Sequence, residues 1–298
     1  MSYNTYRHED ELKETIQTLT HGTAARRMCH LHLGSEPLPS WEMIGEIITL
    51  CRSLIFPGFF GKDDLNAFNL EYRIGIECEQ LKTTLENQIL AGLCIEQKIP
   101  TGTETASLKQ RAEDIAQQLI SRLPDIRKVM HTDVEAMYDG DPAAVSHEEV
   151  IYCYPAIRAI LNYRVAHELF LLGVPVIPRM ITEAAHCETG IDIHPAATTG
   201  ERFAIDHGTG VVIGATAIIG RNVKLYQGVT LGAKSFDYDA DGNPVKGVPR
   251  HPIVGDNVVI YSNSSILGRI RIGNNAVIGG NMWVTSDVAD GEMIVQRR

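Results

Sequence analysis

One aliphatic residue returns every six positions through the last third of the chain. It reads Ile213, Ile219, Leu225 and Leu231, then resumes as Val254, Ile260, Ile266, Ile272, Ile278 and Val284. Upstream, across a two-residue insertion, the same phase gives Ile193, Thr199 and Ile205. A small residue often follows, as in Ile213-Gly214, Ile219-Gly220, Leu231-Gly232, Ile272-Gly273 and Ile278-Gly279. An even period turns the same side of each short strand inward, and glycine relieves a tight corner. Three hexads close one triangular coil. Stacked coils pair their backbone groups from turn to turn and bury the aliphatic residue as an internal ladder. Residues 191–284 are therefore expected to form a parallel β-helix. Spacing alone does not set its hand, since ordinary parallel crossovers are right-handed.

Before residue 188 the apolar residues recur at helical spacing instead. Glu42 to Ile55 forms one such face, stopped at Pro57-Gly58. Ile74, Cys78, Leu81, Leu85, Ile89 and Leu93 form a second, and Leu108, Ala112, Ile115, Leu119 and Leu123 a third that is expected to end at Pro124. Pro155 opens a fourth segment to Leu172, closed by Gly173. The expected class is α+β, with an N-terminal α-helical domain over residues 1–188 followed by a β-helix over 189–298. His167, beside Arg164, reads as a packed polar residue of those helices.

Composition excludes several roles. With 44% apolar and 21% charged residues among 298, the chain has a soluble globular make-up. Its net charge of −10 repels nucleic acid and anionic membrane. No apolar run reaches the 18 or so residues of a membrane span, and no leader pattern opens the chain, so the expected location is cytoplasmic. The six cysteines never form a CxxC pair or a zinc spacing. They read as reduced thiols, with no structural metal or disulfide.

The repeat is interrupted between Leu231 and Val254. The gap exceeds three hexads by five residues, or one hexad by seventeen, too long for a corner. The inserted loop, 234–251, contains Asp237-Tyr238-Asp239-Ala240-Asp241-Gly242, which looks like the front of a calcium loop. Its twelfth position is Val248 rather than Glu, so it reads as a solvated acidic tip. The loop is expected to fold over a site and return Arg250-His251 to the coil edge.

Five stretches together resemble a known family. Asp192-Ile193-His194-Pro195-Ala196, Asp206-His207-Gly208-Thr209-Gly210, Gly228 to Gly232, Arg250-His251-Pro252 and the earlier Asp141-Pro142-Ala143 are similar to serine O-acetyltransferase, a hexapeptide-repeat acyltransferase family. The likeness runs from about Gly140 to Val284. It implies a left-handed parallel β-helix, acetyl-CoA as co-substrate with no metal, and L-serine as acceptor in the first step of cysteine biosynthesis. It also implies a homotrimer or a dimer of trimers. Carried over by position, His207 is the general base and Asp192 its orienting carboxylate. Asp141, Asp206, Arg250 and His251 hold the amino acid, while Ala233, Ser262 and Gly280 line the pantetheine arm. The departures are Val277 for a family lysine, Ala233 for a family glycine, and Gly279-Gly280-Asn281-Met282-Trp283 for a small-residue turn. An end at Gln296-Arg297-Arg298 lacks the isoleucine-ended tail that docks O-acetylserine sulfhydrylase. Neither that complex nor feedback by cysteine therefore follows from the resemblance.

The chemistry also stands without the family. A serine hydroxyl attacks a thioester only as its proton leaves, and a histidine is the usual acceptor near neutral pH. A carboxylate on the other ring nitrogen sets the tautomer. A zwitterionic acceptor needs anions for its ammonium (Asp141, Asp206) and cations for its carboxylate (Arg250, His251). Asp192 and His207, about one coil apart, are expected to stack at one corner, to which the loop brings Arg250 and His251. The blander readings are a helix cap for Asp141 and a structural role for His194 before Pro195. Three other functions remain open: acetylation of homoserine or a sugar, a β-helix metal hydratase using His194, His207 and His251, and an inactive scaffold.

Overall fold

The computed structural model describes residues 3–21, 38–61, 65–97 and 105–296. Cys29 lies outside them. Of the other five cysteines, Cys51 is buried while Cys153 and Cys187 are exposed, and no described helix is long and apolar enough to cross a membrane. Helix α1 (Tyr3–Thr20) belongs to a separate compact unit of residues 1–36 and 99–103, while residues 37–98 and 104–298 form a second unit.

In the second unit, α2 (Trp41–Ile55) begins where the Ser40 side chain accepts from the Met43 N–H, and buries Ile44, Ile47, Cys51 and Leu54. Helix α3 (Leu70–Gln97) buries Leu81, Leu85, Ile89 and Leu93. Helix α4 (Thr105–Gly140) does not stop at Pro124 as expected. Its apolar stripe continues through Ile126, Met130, Val134 and Met137, all buried, while Pro124 sits on the exposed face. The carbonyl that proline leaves unpaired can face water there, and packing on the other side carries the helix through. Helix α5 (His147–Cys153) is capped by Ser146, and α6 (Pro155–Leu171) starts on its proline. Helix α7 (Ile177–Thr189) ends at Gly190, whose φ of 71° is the left-handed cap.

Helices α4 and α6 are bolted to the first coil by polar groups. Asp133, fully buried, accepts from Arg164 Nε at 2.6 Å, Arg164 Nη2 at 2.9 Å and the Phe203 N–H at 2.8 Å. Burial raises its pKa against the pull of Arg164; removing either partner would strand a buried charge. Tyr163 donates to the Ala197 carbonyl at 2.6 Å, and His167 Nδ1 lies 2.7 Å from the Pro195 carbonyl. The packed polar role expected of His167 is thus the one it has.

Fourteen short strands follow, β1 (Asp192–Ile193) to β14 (Met293–Ile294), in three all-parallel sheets. The first sheet stacks β1, β4, β7, β10 and β13; the second β2, β5, β8 and β11; the third β3, β6, β9, β12 and β14. This is a left-handed parallel β-helix of about five turns. The aliphatic positions from Ile213 to Val284 are each at most 6% exposed, and full burial of such a side chain contributes about 1.5–3 kcal/mol.

Register settles the interruption. Leu231 in β7 (Thr230–Gly232) pairs with Ile213, and Val254 in β8 (Ile253–Val254) pairs with Ile219. The loop is therefore one hexad step lengthened by seventeen residues, at the corner joining the first sheet to the second. Its tip is a small hairpin in which Asp239 Oδ1 accepts from the N–H groups of Asp241 (3.0 Å) and Asn243 (2.8 Å). That carboxylate caps its own turn.

Candidate active site

The expected residues fall at two different corners of the coil. The acid corner joins the third sheet to the first, where two extra residues follow β3 (Ala204–Asp206). His207 stands there with φ of 59°, a left-handed conformation additional to the one shared by the stacked column Gly210, Gly228, Asn263 and Asn281. A non-glycine residue held in that region is a mark of constraint. The conformation turns the ring out of the coil, its side chain 72% exposed, with Nε2 3.8 Å from Asp206 Oδ1.

Asp206 is also held by Lys224 Nζ at 2.9 Å. The same ammonium donates to the Gly140 carbonyl at 2.7 Å and lies 4.5 Å over the Tyr226 ring. Asp141, the residue after Gly140, accepts a short hydrogen bond from the Tyr154 hydroxyl and one of 2.8 Å from the Ala143 N–H. These donors hold its carboxyl below the usual range, with Lys224 and His207 helping, while burial first and the Asp141 carboxylate second raise the Tyr154 hydroxyl. Asp141 thus caps a turn, while the next helix, α5, opens at Ser146.

The cation corner joins the first sheet to the second. The Thr216 hydroxyl accepts from the N–H groups of Arg250 (2.9 Å) and His251 (3.1 Å) and lies 2.8 Å from His251 Nδ1. The Thr216 N–H also points at Nδ1, at 3.1 Å. With Nδ1 accepting, the neutral ring carries its proton on Nε2. Desolvation, with Arg250 and Arg269 nearby, lowers the His251 pKa to about 4, and His194 is lowered to about 4 by desolvation and Arg179. His194 Nδ1 accepts from the Ala196 N–H at 3.0 Å, the structural role expected of it. Gly214 makes room for His251: a Cβ there would lie 2.0 Å from its Cδ2.

Two expectations need correction. Arg250 and His251 do not return to the corner of His207, because a chain leaving β7 must re-enter at β8, one edge of the first sheet away. Nor do Asp192 and His207 touch: the cation beside the Asp192 carboxylate is Arg179, at 3.8 Å. Among the pantetheine positions, Ser262 and Gly280 stack on successive coils, a Gly280 Cβ lying 3.4 Å from the Ser262 carbonyl. Ala233 leaves β7 at the opposite edge. Sequence reading missed Lys224, Tyr154 and Thr216. Each lies outside the quoted motifs and acts through a neighbour, so spacing gave no signal.

Glu183, His186 and Asp192 form the one set of potential metal donors among the described residues, within 4.8 Å of one another. Arg179 already sits among them, ion-paired to Glu183 and beside Asp192. His194, His207 and His251 form no such set within the chain.

No protein-family model matches the chain. The plasmid serine acetyltransferase of Synechococcus elongatus is 46% identical over 263 residues, covering 87% of this chain and 82% of that protein. Serine acetyltransferase 1 of Entamoeba histolytica, solved with L-cysteine, superposes with a TM-score of 0.74 at 31% identity, over 86% of this chain and 97% of that one. The Neisseria gonorrhoeae serine acetyltransferase solved with serine gives 0.55 at 28% identity, over 90% and 98%. The chain belongs to the serine acetyltransferase family.

Proposed function

We propose that the chain transfers acetyl from acetyl-CoA directly to the hydroxyl of L-serine, giving O-acetyl-L-serine and CoA, with His207 as general base. The observation that carries this reading is the split of charge between the corners. Asp141 and Asp206 offer anions for an ammonium, while Arg250 and the Nε2–H of His251 offer donors for a carboxylate. A sugar has no use for that pair.

In the reaction, the serine Oγ–H proton passes to the His207 ring as Oγ bonds to the thioester carbonyl carbon. The C–S bond then breaks, and the CoA thiolate takes the proton from the imidazolium. No enzyme nucleophile is needed. Asp192 orients the ring once His207, free at the surface, turns from Asp206 toward β1. Ser262 and Gly280 border the pantetheine arm, with Ala233 reaching it from the far edge.

Because one chain keeps the acid and cation corners apart, each acceptor site takes one corner from each of two neighbours in a homotrimer. Residues 189–298 supply the catalytic coil. The helices of residues 1–188 supply Asp141 and present the exposed Phe68, Tyr72 and Ile76, which suit pairing of two trimers. The cytoplasm is the setting this reading expects, since it supplies acetyl-CoA.

Thiol release from acetyl-CoA, measured with serine, homoserine and a panel of sugars, tests the acceptor. Release with serine alone is expected; release with a sugar and none with serine rejects it. Reassembling a mixture of inactive His207→Ala and Arg250→Ala proteins tests the seam. Activity returns at roughly one site in three of each mixed trimer, and none returns if the two corners serve one site within a chain.

A further inference from the structure

Lys224 is a half-buried cation for which the reaction above has no use. Its side chain is 17% exposed, and its three N–H bonds have three destinations: Asp206 Oδ2, the Gly140 carbonyl and the face of Tyr226. Tyr226 is itself fixed by stacking on Tyr261, with centroids 4.9 Å apart and planes 12° from parallel. An ammonium so fully engaged has nothing left to offer a ligand. From β6 (Lys224–Tyr226) it reaches the last carbonyl of α4, 84 residues earlier in the chain, and ties it to the end of β3. A cation also suits the C-terminal end of a helix, where the carbonyls lack partners.

Gly140 immediately precedes Asp141, so the strut sets how far the Asp141 carboxylate stands from Asp206. It also sets the charge between them. Two carboxylates and one lysine leave one net negative charge, the complement of a single ammonium. Without Lys224 the two carboxylates, which line one small cavity, lose the ammonium that neighbours both; Tyr154 and His207 are the titratable groups left beside them, and one carboxylate tends to take up a proton as the pH falls.

We infer that Lys224 is a positioning residue for acceptor recognition, bracing the Asp141–Asp206 pair and trimming its charge to match one α-ammonium group. The inference rests on the acceptor site proposed above. It assigns Lys224 no contact with serine and no part in proton transfer. Its loss is therefore felt in serine binding, while acetyl-CoA binding and turnover at saturating serine are spared.

Full-length Lys224→Met, Lys224→Gln and Lys224→Arg proteins are compared with the unmodified enzyme in steady-state thiol release between pH 6 and pH 8.5. Lys224→Met is expected to raise the serine KM about tenfold, with kcat and the acetyl-CoA KM within about twofold. Its serine KM climbs further toward pH 6, by more than that of the unmodified enzyme. Lys224→Gln keeps hydrogen bonding without the charge and shows the same pH dependence, so it carries the test if the Met variant does not fold. Lys224→Arg restores the serine KM. A Gln variant indistinguishable from the unmodified enzyme overturns the inference, as does an Arg variant no better than Met, or a loss that falls equally on both substrates. Failure of the unmodified enzyme to use serine at all would instead reject the acceptor assignment.

Discussion

The acid corner and the cation corner are built from the same repeat by opposite means. The acid corner adds two residues, forces His207 to a left-handed φ and borrows Asp141 and Tyr154 from the helical segment. The cation corner adds seventeen residues, but its working groups are pinned to the coil by the hydroxyl and N–H of Thr216, by Arg269 on the His251 carbonyl, and by the missing side chain at Gly214. One corner leaves His207, the proposed base, exposed. The other buries its histidine to 6% exposure and fixes its tautomer. Under the proposed mechanism, the group that accepts and returns a proton is left exposed, and the one that only donates a hydrogen bond is locked.

The contrast can be broken experimentally. His207→Ala should lower kcat by about 10²–10⁴-fold with little change in the serine KM, as stopped-time thiol assays would show. Gly214→Ala should cost about 10²-fold in kcat/KM for serine, because the new Cβ would overlap the His251 ring and displace it. Thr216→Val, which removes the hydroxyl but keeps the shape, should cost roughly tenfold in the same quantity. If Gly214→Ala proved harmless, the locked histidine would not be part of the acceptor site.

A pH experiment separates the corners further. His194 and His251 have folded pKa values lowered to about 4, against about 6.5 for a free imidazole. Between those values the unfolded chain binds protons that the folded one refuses, so stability falls as pH drops from 6.5 toward 4. Thermal melts should show that loss, and His251→Gln should make it shallower. The smallest effect belongs to the loop tip. Changing Asp237, Asp239 and Asp241 together to Asn should leave kcat/KM within about twofold, and calcium should not shift the melt of the unmodified protein, because Asp239 is already engaged by its own turn.

The coil was legible because a ladder of buried aliphatics requires strict spacing, and Ile213 to Val284 keep it. Pro124 misled because local propensity says nothing of the buried stripe from Leu108 to Met137, which outweighs a single break on the exposed side. The loop's length was ambiguous between one hexad and three, since only the pairing of Val254 with Ile219 shows which corner it occupies. That ambiguity is also why Arg250 and His251 were expected beside His207. Lys224 was silent in the sequence because its partners, Gly140 and Asp206, come near it only through folding.

The separation of the two corners has a genetic consequence. In a trimer assembled as proposed, a chain defective at one corner spoils a single seam, so alleles hit at opposite corners should complement each other in the same cell. A chain defective at both corners spoils two of its trimer's three seams, and expressed beside the normal gene it should act as a dominant inhibitor of the enzyme it resembles.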